Sequence, residues 1–223
     1  MLATLPLPFY FLIGGLISIF LPKGFIKSSF VCLVPVIALL VLLSGGWDDG
    51  FKVQFLDLEL NFMRVDKLST VFGIIFCIAA FLGNIFAFDL RESTQPFVAL
   101  IYSGAAIGAV FAGDLVTLFV YWELTAISSV FLIWARKTEG AYHSGMRYLI
   151  IQVLSGVVLL FGVALFYFEK GSISFSKMEL DSLATALIFV AFGIKCAFPF
   201  LHNWLQDSYP SATVTGTVIL SAF

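Results

Sequence analysis

Glu123 and Lys195 each stand near the middle of a long stretch that carries no other charge, residues 115–135 and 182–206. At ~1.5 Å rise per residue, a helical reading places both within ~3 Å of the centre of a bilayer. An ionisable side chain at that depth costs roughly 2.5 to 3.5 kcal/mol on insertion scales. Their signs are opposite, and both groups can gain or lose a proton. The chemistry this suggests is proton relay. The two would titrate as one coupled system, so neither owns a single pKa, and their approach and separation would move a proton on and off the lysine. The plainer alternative is a static ion pair pinning two helices, but such pairs often fail to repay their desolvation. For Lys195 the plainer alternative is a packing kink with the lysine snorkelling, disfavoured because half of the ~30 Å hydrocarbon core exceeds the reach of a lysine.

Pro199 lies four residues after Lys195. A helical proline donates no N–H to the carbonyl at i−4, and its ring pushes that carbonyl aside. The spacing predicts a helix broken at Lys195, with the lysine carbonyl left for water or an ion. Broken helices carrying charge at mid-depth are how transporters build sites. His202 is seven residues, two helical turns, beyond Lys195 and could extend a proton path. Around Glu123 the helical neighbours Phe119, Val120, Ala126 and Ile127 are apolar, while Thr125, Ser128 and Ser129 could hold waters. Asp114 opens the Glu123 stretch and reads as an N-terminal helix charge. His143 and Arg147 share a helix face, and Asp207 and Tyr209 read as interfacial anchors.

The elements that must position these residues follow from composition. The 223 residues are 61% hydrophobic and only 12% charged, with mean hydropathy +1.04. Soluble domains carry about 25% charged residues, so this is an integral membrane protein. A net charge of −2 speaks against a nucleic-acid partner. Cys32, Cys77 and Cys196 fall in separate apolar stretches with no metal spacing, and no phosphate loop or haem signature implies a cofactor.

Uncharged runs at 1–22, 28–47, 68–88, 93–113, 115–135, 148–168 and 182–206 predict an all-α membrane bundle of about seven spans. An eighth run begins at 208, and its apolar part, Val214 to Phe223, predicts a helix cut short, as in an N-terminal fragment. The first run lacks the charged start and small-residue cleavage site of a signal peptide, so residues 5–21 read as a retained helix. Residues 48–66 alternate apolar and polar, and the parity changes at Phe55–Leu56. That predicts an external β-hairpin, since an open strand edge cannot face lipid. Residues 169–181 read as a loop, with Ser176 or Asp181 as helix caps. Trp47, Trp134 and Trp204 sit at span ends, the aromatic-belt position, whereas Trp122 is expected inside the bundle. Basic residues in the first short loop and at Arg136–Lys137 place the N-terminus and hairpin outside the cytoplasm.

YWE around Glu123, GIKCAFPFLHNWLQDSYP around Lys195 and the terminal ATVTGTVILSAF resemble the antiporter-like membrane proteins. These are the D-type and A-type components of Mrp-type sodium/proton antiporters and the homologous proton-pumping components of respiratory complex I and membrane-bound hydrogenases. The resemblance runs from about Asp66 to the end. It implies a core of fourteen helices in two inverted five-helix repeats, with a broken helix and a lysine–glutamate pair in the first. Residues 1–66 would then be N-terminal helices and the hairpin, and 67–223 the first repeat, stopping in its eighth helix. The resemblance implies a relay role for Glu123 and Lys195 and a lesser one for His202. Where family members carry a PDAYPEAPTPVSA-like segment, this chain reads QDSYPSATVTGTVILSA, a form nearer the D-type component of the Mrp antiporters. The implied function is a proton-translocating subunit of a multi-subunit cation/proton antiporter in a bacterial inner membrane, partnered by other membrane subunits, lipid, protons and sodium. The alternatives are a proton-pumping subunit of a redox-driven complex and a structural membrane scaffold.

Overall fold

The computed structural model describes residues 5–45, 51–56, 58–90 and 94–223. Trp47 and the start of the expected hairpin segment therefore lie outside the described residues.

Two helices lead the chain, α1 (Leu7–Phe20) and α2 (Phe25–Ser44). Strands β1 (Phe51–Phe55) and β2 (Leu58–Met63) then pair antiparallel, with Phe55 opposite Leu58. The hairpin thus turns where the apolar parity switches, and Leu56 takes a left-handed conformation at φ 54°. The bundle continues with α3 (Lys67–Phe86), α4 (Thr94–Phe111), α5 (Leu115–Trp134), α6 (Glu139–Lys170) and α7 (Leu183–Lys195), followed by the short α8 (Asn203–Ser208) and α9 (Val214–Ala222). Five of these, α2 to α6, are long and apolar enough to cross a membrane, while α1 and α7 are shorter apolar helices.

Side chains cap the N-termini of α3, α5 and α6. Asp66 and Ser69 form a reciprocal capping box at α3, satisfying two N–H groups that the first turn leaves unpaired. Asp114 caps α5 and accepts from both the N–H and the hydroxyl of Thr117, each at 2.7 Å. Its second task is to tie down the hairpin, because Asp114 also accepts the N–H of Asn61 at 2.7 Å. The Arg64 N–H donates to the Phe111 carbonyl nearby. The hairpin is therefore fixed to the end of the bundle where α4 finishes and α5 starts.

Two elements differ from the sequence reading. α6 is 32 residues long and starts at Glu139 behind a Thr138 cap, so it carries His143 and Arg147 on its first turns. Charge at a helix end ends an uncharged run without ending the helix. The cap of α7 is Ser182, boxed with Thr185, and not Ser176 or Asp181.

α6 packs between α5 and α7, α4 between α1 and α5, and α2 against α3. One apolar cluster joins Leu118, Tyr121 and Trp122 of α5 to Leu159 and Val163 of α6 and Ile188 and Ala191 of α7. This cluster holds the Glu123 and Lys195 helices in fixed relation.

Candidate functional site

Helix α7 stops at Lys195 instead of kinking there. The Phe198 N–H reaches back to the Gly193 carbonyl at 2.9 Å, and the Ala197 N–H to Ile194 at 3.2 Å. This nested pair is a Schellman ending with Ala197 in the left-handed position, φ 53°. The Phe198 ring lies over Gly193, where an added Cβ would sit 3.0 Å from it. Pro199 follows and leaves the Lys195 carbonyl without a donor among the described residues. Residues 196–202 carry the chain across the break to α8, with Phe200 also left-handed at φ 71°.

Trp204, expected at the membrane interface, is instead buried. Its indole N–H donates to the Ile194 carbonyl at 3.0 Å, so the short helix after the break holds the end of the helix before it. A tryptophan at the end of an uncharged run looks like an interface anchor only while that run is one straight span.

The Lys195 ammonium turns toward α5. It donates to the Thr125 hydroxyl at 3.0 Å and lies 5.2 Å from the centre of the Trp122 ring. The Thr125 hydroxyl donates its own proton to the Trp122 carbonyl at 2.7 Å, which leaves its lone pairs for the lysine. A desolvated cation over an indole face gains about 2 kcal/mol, so the site holds Lys195 without a carboxylate in contact.

Glu123 occupies a different face of α5. Residues 123 and 125 are separated by two steps of ~100°, so they point to nearly opposite sides. The Glu123 carboxylate lies against Gly156 of α6, and its Oε1 is buried without a hydrogen-bond partner. No ion pair joins Glu123 to Lys195 among the described residues. The structure therefore brings the two charges to different faces of one helix and holds them apart.

A cavity of about 640 Å³ opens beside the lysine. Trp122, Thr125, Lys195 and Cys196 line it near the helix break, and Arg64 and Asp66 line it toward the hairpin. His202 precedes α8 and is half-buried. The helical spacing that would align it with Lys195 does not apply, because the intervening residues are not helical. At the opposite end of the bundle Arg147 pairs with Asp207 at 3.2 Å. Tyr209 donates to the Leu220 carbonyl at 3.0 Å, so it anchors α9.

Thr125 entered the sequence reading only as a place for water, and Gly156 and Gln152 did not enter it. A hydroxyl acceptor has no signature beyond its spacing of two from Glu123. A glycine across a helix seam has none in a single sequence.

Residues 112–223, half of the chain, match the family described as NADH:quinone oxidoreductase/Mrp antiporter, transmembrane. The chain belongs to that family. This match contains α5, the broken helix and both central charges. Subunit 2 of an NAD(P)H-quinone oxidoreductase from Rippkaea orientalis is 27% identical over 218 residues, covering 86% of this chain and 40% of the relative. A component of an Na(+)/H(+) antiporter from Alkalihalophilus pseudofirmus is 29% identical over 185 residues, covering 74% of this chain and 23% of the relative. The chain thus spans less than half the length of either. Among solved structures, a chain of the archaeal membrane-bound sulfane sulfur reductase shares the fold with TM-score 0.82 and 24% identity, covering 97% of this chain and 49% of that one. A chain of the Mrp complex from Dietzia sp. matches with TM-score 0.78 and 21% identity, covering 96% and 45%. The family is that of membrane antiporter and quinone-oxidoreductase subunits, and its relatives belong to multi-subunit complexes.

Proposed function

We propose that this chain is a proton-translocating membrane subunit of a multi-subunit cation/proton antiporter, with Glu123 and Lys195 as its relay. The observation that carries the reading is the way Lys195 is held. Its ammonium rests on a neutral hydroxyl and an indole face at a helix break, while the Glu123 carboxylate waits on another face of the same α5 helix. A neutral acceptor can hold either the ammonium or the amine, whereas a contacting carboxylate would lock the ammonium. Movement of Glu123 toward the lysine, or away from it, then decides whether Lys195 keeps its proton.

In this reading α1 and the α7–α8 pair complete seven crossings with the five long helices. Residues 1–66 form the N-terminal helices and hairpin, and 67–223 the first repeat. Pro199 marks the break and leaves the Lys195 carbonyl there without an N–H donor, and His202 beside α8 is a candidate for the path beyond it. The N-terminus and hairpin face away from the cytoplasm of a bacterial cell, other membrane subunits flank the chain, and sodium is the coupled ion.

Replacing Glu123 with Gln tests the relay. Proton-coupled transport in vesicles should fall by about a hundredfold, the lower end of what a positioned proton-transfer group contributes. The amount of assembled complex should not change. Full transport by Glu123→Gln overturns the relay, and parallel loss of assembly and transport favours the scaffold reading.

A second reading has support of its own. The similarity to a quinone oxidoreductase subunit fits a proton-pumping subunit of a redox-driven complex, using the same pair. The proteins that co-purify with this chain separate the two, being other antiporter subunits in one case and redox subunits in the other.

A further inference from the structure

A line of buried polar side chains runs along the seam between α5 and α6, away from the Lys195 cavity. On α6, Ser144, Tyr148 and Gln152 follow one another every four residues and so share a face, which Ser155 and Gly156 continue. Ser144, Tyr148, Gln152 and Ser155 are all 4% exposed or less. The Tyr148 hydroxyl lies 2.7 Å from that of Ser129 on α5. The Ser155 hydroxyl donates to the Gln152 carbonyl at 2.6 Å and accepts the Trp122 indole N–H at 3.0 Å. Toward the end of the bundle, Ser144 donates to the Asp207 carbonyl at 2.7 Å, beside the Arg147–Asp207 ion pair.

Gln152 is the anomaly in this line. It is 0% exposed, and neither its Oε1 nor its Nε2 has a hydrogen-bond partner among the described residues. Each unmet buried group costs about 1 to 3 kcal/mol, so a leucine of similar size would be the more stable choice. Helix glue does not explain it, because its amide bonds to nothing across the seam. The Ser208 hydroxyl, at the Asp207 end, is likewise fully buried and unpartnered. So is the Glu123 Oε1, one turn of α6 beyond Gln152 at Gly156. Unmet polar atoms therefore mark both ends and the middle of one line. Buried water bound by two to four polar groups is what such sites hold.

We propose that the α5–α6 seam is a water-filled proton path joining Glu123 to the Arg147–Asp207 end of the bundle. The Tyr148 hydroxyl is a proton-bearing link, and Gln152 is the positioning residue that orients water between Tyr148 and Glu123. Each hydroxyl or water passes one proton forward and takes one from behind, so no link ends with a changed charge. The net event is protonation of the Glu123 carboxylate. Glu123 is thus served from one end of the bundle, while the Lys195 cavity reaches toward the hairpin at the other. The path rests on the relay reading of Glu123.

The test uses the assembled complex in membrane vesicles, with proton flux read by a pH-sensitive dye and thermal unfolding read on the same purified complex. Gln152→Leu should lower flux about tenfold while leaving the melting temperature nearly unchanged, because no side chain or backbone group among the described residues bonds to its amide. A packing role predicts the reverse pairing, with lost stability accompanying lost flux. Tyr148→Phe keeps the ring and removes the link, so it should give a similar loss. The double variant should be no slower than the worse single one, since both interrupt one path. Normal flux in Gln152→Leu overturns the proposal, and so does a double variant whose losses multiply. If Gln152→Leu does not assemble, Tyr148→Phe alone decides, because it removes a single oxygen. Normal flux in Glu123→Gln overturns the relay itself, whereas an inactive Glu123→Gln beside a fully active Gln152→Leu overturns only the path.

Discussion

The carboxylate of Glu123 fills the space that a side chain at Gly156 would need. These residues stand on different helices, 33 positions apart, and the missing side chain of one makes room for the charge of the other. Gly156→Ala therefore sets two effects against each other. Alanine is favoured over glycine in a helix by about 1 kcal/mol, but its methyl must displace the Glu123 carboxylate. Proton-coupled transport should fall nearly as far as in Glu123→Gln, with normal assembly. Full transport by Gly156→Ala would show that Glu123 works from another position.

Lys195→Arg should not behave as a conservative change. Arginine stays protonated at physiological pH, and its flat guanidinium needs more than the one hydroxyl and one indole face that receive the ammonium. Transport should fall nearly as far as in Lys195→Ala. Thr125→Val is the companion experiment, since it removes the acceptor and keeps the shape. It should slow transport less than Lys195→Ala and shift the pH at which transport is half-maximal. An unchanged pH profile in Thr125→Val would remove Thr125 from the site.

What the sequence made visible depended on whether the governing interaction was local. The hairpin was legible because strand pairing shows as period-two alternation, and its turn lies where the parity changes between Phe55 and Leu58. Glu123 and Lys195 stood out by their cost in lipid, and their relay role remains a proposal; the burial of Trp122 was legible by its distance from either membrane face. The break at Lys195 was half legible. Pro199 announced it, but its geometry rests on Ala197 in a conformation for which glycine is the usual marker. The acceptor of the Lys195 ammonium, the pocket at Gly156 and the burial of Trp204 all depend on contacts between elements. No spacing rule within one helix encodes them. α6 was misjudged in length because Glu139 and Arg147 sit on the helix while remaining outside its apolar part.

Asp66 gives a prediction outside the membrane-spanning helices. The Ser69 backbone N–H donates to its carboxylate at 2.8 Å and, with the Ser69 hydroxyl and Arg64, holds its pKa below the ordinary aspartate value against the opposing effect of burial. A folded-state pKa lower than the unfolded one contributes stability that is present above the unfolded value, about 3.9, and is lost as pH falls through the folded value. Asp66→Ala should cost about 1 kcal/mol at neutral pH through loss of the cap. Asp66→Asn should keep most of the cap and flatten the acid limb of stability. Thermal unfolding of the purified complex at a series of acidic pH values checks both. An acid limb unchanged in Asp66→Asn would assign it to other carboxylates.

The break in the seventh helix should survive the loss of its proline. Taken alone, Pro199→Ala supplies the N–H that the Lys195 carbonyl lacks, and the sequence by itself would predict a straightened helix. The structure holds the break in other ways. The Phe198 and Ala197 N–H groups already close the end of the helix on Gly193 and Ile194. The Trp204 indole takes the Ile194 carbonyl from the far side. Straightening would require all three bonds to be lost and the left-handed Ala197 and Phe200 to convert together. Spin labels at the exposed positions Val190 and Gln206 read the outcome. A continuous helix would place their backbones ~24 Å apart at ~1.5 Å per residue. Pro199→Ala should leave the native distance unchanged, and a shift to the continuous-helix value would overturn this account. Ala197→Gly tests the same ending from the opposite direction. Left-handed backbone costs an L-residue roughly 1 to 2 kcal/mol that glycine avoids. The variant should therefore unfold at a higher temperature than the native chain, with the Val190–Gln206 distance again unchanged.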